Sequence, residues 1–175
     1  MSTPATVPFE EYLHTTYEPD REYVNGQLVE RNAGEYFHSA MLGLICGALG
    51  ARKAERRYHT FISLRVRVSD EPRIRVPDIC VKALPYEKTP ILVRPNMAIE
   101  VISPEDEVSN MLTKIGDYLA AGIPHIWIVD PYKRRLFEVR PPASIRRPPG
   151  LTLATPLVGE IDFAPLFQEL YEPTG

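Results

Sequence analysis

The spacing of apolar residues changes period several times along the chain, and each change predicts an element. Between Glu35 and Arg52 the residues Met41, Leu42, Ile45, Ala48 and Leu49 fall at helical spacing, which predicts a core helix with one buried stripe. Phe61 to Val68 alternates Ile62, Leu64, Val66 and Val68 with Ser63, Arg65 and Arg67, the period of a strand with one wet face. Arg73 to Lys82 and Met97 to Ile102 read as two more strands, separated by a proline-containing loop from Leu84 to Pro95. Helical spacing returns at Val108, Met111, Leu112, Ile115 and Leu119 within Glu105 to Ala121, and Gly122 with Pro124 supplies the stop. The continuous apolar run His125 to Val129 then predicts a strand covered on both faces, and Leu136 to Arg140 follows an Asp130-Pro131 turn.

Turn chemistry fills in the rest. Phe9 to His14 reads as a short helix. Asn25-Gly26 suits a two-residue turn with positive φ, so Arg21 to Arg31 is expected to form a hairpin in which Val24 faces Gln27, Tyr23 faces Leu28, Glu22 faces Val29 and Arg21 faces Glu30. Pro141 to Gly150 is too proline-rich for a regular element and is expected to be a surface loop, followed by a strand and a short turn over Leu151 to Leu170. With no internal repeat and no linker, residues 1–175 are expected to form one domain, an α/β protein of the α+β kind with one mixed sheet flanked by helices.

Composition changes this picture little. A chain of 175 residues that is 44% hydrophobic and 25% charged suits one soluble core. No stretch approaches the roughly 20 apolar residues of a membrane span, and MSTPATVPFEEYLH lacks a basic region followed by an apolar run, so the expected location is the cytoplasm, with no membrane partner. Cys46 and Cys80 stand apart and read as small core residues rather than a redox or zinc pair. The net charge of −3 does not mark a nucleic-acid binder, so any such contact must come from local arginines.

Chemistry concentrates in two carboxylates placed among apolar strand residues. Asp78, in IRVPDICV, shares a face by period two with Ile74, Val76, Cys80 and Lys82, where an unpaired charge is costly. Pro77 removes a ladder donor and predicts an edge or a bulge there. Glu100, in NMAIEVISPED, repeats the pattern; if the two strands pair, the carboxylates reach one point, and two hard oxygen donors suit Mg²⁺ or Mn²⁺. Lys114, between Met111 and Tyr118 on the following helix, can lay its stem along the core edge and bring its ammonium to the strand ends.

These segments resemble the Uma-type restriction endonuclease family, a branch of the PD-(D/E)xK nuclease superfamily. The likeness runs from about Phe9 to Arg140, through REYVNGQLVE, the His38 helix, VPDICV, AIEVISP and the Lys114 helix with GDYLAAGIPHIWIVDP. It implies a restriction-endonuclease-like core that binds divalent metal through Asp78 and Glu100, with the Val101 carbonyl as a further ligand. The implied reaction is metal-dependent hydrolysis of phosphodiester bonds in nucleic acid, DNA in the first instance. Where the superfamily motif places lysine two residues after the acid, this chain has Ile102, and the resemblance assigns the displaced lysine to Lys114. It also directs Glu22 into the same site as an accessory acid.

Each residue has a plainer alternative. Asp78 could be a turn aspartate after proline, Glu100 could pair with an arginine such as Arg75, Lys114 could be solvated, and Glu22 an exposed hairpin charge. His38 lies on the apolar stripe of its helix and is expected to be a core histidine rather than a site residue. For Arg65, Arg67, Arg73 and Arg75 the expectation is solvated charge ahead of phosphate contact. Against the endonuclease stands a catalytically inactive domain of the same fold that binds nucleic acid or protein; a homodimer is expected in the active case, because duplex cleavage needs two sites.

Overall fold

The computed structural model describes residues 6–31 and 34–172. Phe9–His14 forms α1 as expected, and Asn25 and Gly26, at φ 52° and 84°, turn β1 (Arg21–Val24) into β2 (Gln27–Glu30) in the predicted register. The Arg21–Glu30 pair across that hairpin is 3.8 Å apart. Helix α2 (Tyr36–Gly50) occupies the predicted span and continues into the short α3 (Lys53–Arg56).

The two central strand expectations both divide. Phe61 to Val68 becomes β3 (Tyr58–Ile62) and β4 (Val66–Arg67), interrupted at Ser63, which takes φ 49°. Arg73 to Lys82 becomes β5 (Arg73–Arg75) and β6 (Ile79–Ala83), interrupted at Val76–Asp78. Pro77, with no N–H to give a ladder, lies in this break, while β6 itself is central rather than at an edge. The Leu84–Pro95 loop contains the short β7 (Leu92–Val93) and leads to β8 (Met97–Val101).

The second long helix, α4, starts later than expected and spans Val108–Ala120, ending at Gly122 with φ 73°. It is followed by β9 (His125–Asp130) and β10 (Arg135–Arg140). The proline-rich tail, expected to be irregular, carries β11 (Ser144–Arg146), and the last segment forms β12 (Thr152–Thr155), β13 (Gly159–Asp162) and α5 (Ala164–Tyr171).

The expected single mixed sheet is instead a six-stranded sheet, β11-β10-β9-β8-β6-β3, beside a five-stranded sheet, β2-β1-β5-β4-β7, with β12 and β13 as a separate ribbon. Both larger sheets are mixed, because β8–β9 and β4–β7 pair parallel among antiparallel neighbours. Alternation along β6 and β8 sends Ile79, Val81, Met97, Ile99 and Val101 to a core shared with α2 and α5, and Cys80 and Ala98 to a second core shared with α4. A third cluster packs Tyr12 of α1 on Tyr23 and Ile74 of the five-stranded sheet. Trp127 is fully buried, as its apolar run predicted. Among the described residues no helix is long and apolar enough to cross a membrane.

Candidate active site

Strands β6 and β8 pair with Ile79 opposite Ile99, so the next step in that register brings position 78 opposite position 100. The ladder stops there. Asp78 lies in the break before β6, and its carboxylate takes over the pairing that the strand gives up: Val101 N–H donates to Asp78 Oδ2 at 2.9 Å. Glu100 alternates with Ile99 and Val101 and therefore faces α4. Asp78 is 5% exposed and Glu100 2%, so both carboxylates depend on protein partners.

Those partners come from four elements. Lys114 Nζ of α4 is 2.9 Å from Glu100 Oε2 and 3.3 Å from Glu22 Oε1, and it donates to the Val76 carbonyl at 3.2 Å. Tyr118, one helical turn on, donates to Glu100 Oε1. Arg31, just past β2, donates to Asp78 Oδ1 at 2.8 Å, and His38 Nε2 of α2 is 3.3 Å from Oδ2. Glu22 of β1 is 4% exposed and accepts from Arg75 Nη1 at 2.7 Å and from Val76 N–H at 2.9 Å. Glu22, Arg31, His38, Asp78, Glu100 and Lys114 line one cleft of about 650 Å³.

The electrostatics separate the two acids. Burial pushes the Asp78 carboxyl up, but the His38 hydrogen bond, the Lys114 charge and the Val101 amide hold it below the ordinary carboxylate range. Burial raises Glu100 to about 7, against the pull of Lys114 and with the added push of Asp78. Burial likewise works against the Lys114 ammonium, yet Glu100, Glu22 and Asp78 together lift it above its usual value, so it stays charged. Glu22, also pushed up by burial, is drawn below its usual value by Lys114 and Arg75. The hydrogen bond to Asp78 raises His38.

The structure thus brings Asp78, Glu100, Lys114 and Glu22 together, with Val101 contributing its amide to Asp78. His38 corrects the expectation of a core histidine. It is on the cleft wall because it lies in the first turn of α2, which Glu35 caps by accepting from the N–H groups of Phe37 and His38, and from there its Nε2 reaches Asp78 in the break before β6. Glu100 does not pair with Arg75, whose Nε donates instead to Asp117 of α4 at 2.7 Å. Arg65 and Arg67 lie over the rings of Tyr12 and Phe9, and Arg73 bonds Asp117 and Asn25, so these arginines serve the fold rather than being plainly solvated. Arg31 and Asp117 escaped the sequence reading. A lone arginine after a hairpin has no periodic signal, but the spacing of Asp117 three residues after Lys114 places both on one helix face.

Residues 9–164 match the Uma2 family, described as putative restriction endonuclease. The chain belongs to the Uma2 family. The crystal structure of a putative nuclease belonging to DUF820 from Anabaena variabilis is similar over 94% of this chain and 99% of that one, with a TM-score of 0.80 and 24% identity. That likeness fixes the fold. No curated protein matches.

Within this Uma2 chain, no three His, Cys, Asp or Glu side chains of the described residues converge as a metal cage. A site made of two carboxylates still suits a hard cation that keeps most of its waters, since Mg²⁺ usually binds through one or two carboxylates plus substrate phosphates. Glu100 accepts from Lys114 and Tyr118, about half of what a carboxylate can accept, and the mutual push of Asp78 and Glu100 is what a shared cation relieves. Cys80 is no nucleophile: burial lifts its thiol to about 12.

Proposed function

We propose that the cleft hydrolyses phosphodiester bonds of nucleic acid, DNA in the first instance, with Mg²⁺ or Mn²⁺ held by Asp78 and Glu100 and assisted by the Val101 carbonyl. The observation that carries this reading is the convergence of Asp78 and Glu100 at the end of the β6–β8 ladder with Lys114 2.9 Å from Glu100. A bound divalent cation supplies Lewis-acid polarisation of the phosphoryl oxygen and an acidified water. The protein's own groups do the rest. His38 and the Val101 amide fix Asp78, Tyr118 orients Glu100, and the Lys114 ammonium stabilises charge that develops on the attacked phosphate. Glu22, as accessory acid, holds Lys114 from the hairpin side.

Plasmid nicking tests the reading. Wild type is expected to convert supercoiled DNA in Mg²⁺ or Mn²⁺, and Asp78→Ala and Glu100→Ala to do so about 100-fold more slowly. Equal rates in the three proteins exclude the assignment. Affinity for Mn²⁺ carries a pH signature as well: with Glu100 at about 7, a proton must leave before the metal binds, so affinity falls by about tenfold for each pH unit below 7 and levels off above it. Calorimetric titrations at pH 6 and pH 8 that give the same affinity count against Glu100 as a ligand.

A binding-only domain is the second reading, and the specific observation in its favour is that each acid already has a protein cation, Arg31 on Asp78 and Lys114 on Glu100. Saturable Mn²⁺ binding that disappears in Asp78→Asn argues against it. The nuclease reading includes a homodimer, because a symmetric pair presents two clefts to a duplex, and light scattering measures that directly.

A further inference from the structure

Two cations serve the acid pair, and they are held differently. Lys114 has three oxygen partners, on β8, on β1 and in the break before β6, at 2.9, 3.3 and 3.2 Å. Arg31 has Asp78 Oδ1, at 2.8 Å, and its side chain retains 19% of its exposure at the cleft wall. The two oxygens of Asp78 differ as well. Oδ2 is taken by the Val101 amide and His38, whereas Oδ1 meets Arg31. An incoming cation that seeks an oxygen of Asp78 therefore meets Arg31 first. A guanidinium set free at this wall carries a planar donor fork suited to phosphate oxygens.

We infer that Arg31 is a resident counter-cation of Asp78 that competes with the divalent ion for Oδ1 and, once released, binds a phosphate of the nucleic-acid strand in the cleft. The inference rests on the metal-dependent reading above. It makes metal loading and strand binding a single exchange: the metal-free cleft keeps its arginine, and the loaded cleft offers it to substrate. It also addresses how a chain of net charge −3 presents a cation to a polyanion where cleavage takes place.

The test is calorimetric titration of the full chain with Mn²⁺ at pH 8. Arg31→Met and Arg31→Gln, which remove the competing charge, are expected to bind Mn²⁺ about tenfold more tightly than wild type, close to 1.4 kcal/mol. Arg31→Lys, which keeps the charge, should stay near wild type. A purely structural arginine gives the opposite result, because its loss disorders Asp78 and weakens the metal. Unchanged or weaker binding in both neutral variants overturns the exchange while leaving the metal reading intact. Absence of Mn²⁺ binding by the wild type overturns both. The second arm measures binding of a labelled DNA duplex in Ca²⁺ against salt concentration. Loss of Arg31 is expected to lower the slope of log affinity against log salt by about one. An unchanged slope overturns the phosphate contact.

Discussion

Lys114→Met is expected to lower the stability of the fold by about 3–5 kcal/mol at pH 8, the usual loss when one member of a buried ionic group is removed. The substitution keeps the length and apolar stem of the side chain, so packing between Met111 and Tyr118 is disturbed little and the loss reports charge. Without the ammonium, Glu22 still has Arg75 at 2.7 Å, but Glu100 keeps only neutral help from Tyr118. The pH dependence separates this mechanism from a packing defect. Glu100 titrates in the folded protein at about 7, above its value in an unfolded chain, so its protonated form favours the fold and stability is lost as pH rises through 7. Removing Lys114 raises that carboxyl further, which makes ionisation at high pH more costly still. The deficit relative to wild type should thus be larger at pH 8.5 than at pH 6, by about 1 kcal/mol or more. Urea denaturation at the two pH values measures it. A deficit that is the same at both, or larger at pH 6, shows that Lys114 does not neutralise Glu100.

The same residues show how much of the site was legible from sequence. The hairpin register followed from Asn25-Gly26, because a two-residue turn leaves no freedom in what faces what. That register puts Glu22 and Val29 on one face of the hairpin, and both line the cleft, Glu22 at its buried side and Val29, 40% exposed, at its open side. Asp78 and Glu100 stood out because a carboxylate among apolar strand residues needs a partner. Their partners were harder to read. The period-two row of Ile74, Val76 and Cys80 keeps its phase on both sides of Asp78, so it gave no sign that Arg75 and Cys80 belong to different sheets. The sign was Pro77, whose missing N–H was read as an edge or a bulge but which instead lies where the chain leaves one sheet for the other.

His38 exposes a second limit. Its position on the stripe with Met41 and Ile45 is real, but it lies in the first turn of α2, where the core gives way to the cleft, and periodicity does not record depth along a helix. Arg31 and Asp117 meet their partners across 47 and 42 residues of sequence, at Asp78 and Arg75. Only the tertiary arrangement brings them together. The general features of the fold came from local pattern and turn chemistry, whereas the ionic network came from topology.

That network yields the second large effect. Arg75 is 6% exposed, with Nη1 on Glu22 and Nε on Asp117, both at 2.7 Å, and Asp117 also holds Arg73. Arg75→Leu is expected to lower stability by about 3 kcal/mol, toward the lower end for a broken buried pair, since Glu22 keeps Lys114 and Asp117 keeps Arg73. Asp117→Leu should lose a similar amount, because it leaves Arg75 with Glu22 alone and Arg73 with only the neutral Asn25. The double variant is expected to fall short of the sum by about 1–3 kcal/mol, because neither change then leaves the other partner buried alone. Additive losses in that cycle show that the two side chains do not support each other. The cycle also bears on chemistry. Arg75 fixes the carboxylate that meets Lys114, and Asp117 fixes Arg75 from the same helix three residues beyond Lys114. The ammonium over the proposed scissile phosphate is therefore held from both sides by one loop of charges, α4 to β5 to β1 and back to α4. In the double variant Glu22 keeps Lys114 and the Val76 N–H but still lacks Arg75, so nicking by the folded protein should remain as low as in Arg75→Leu alone. Nicking at the wild-type rate by folded Arg75→Leu would mean that Arg75 serves the fold and not the site.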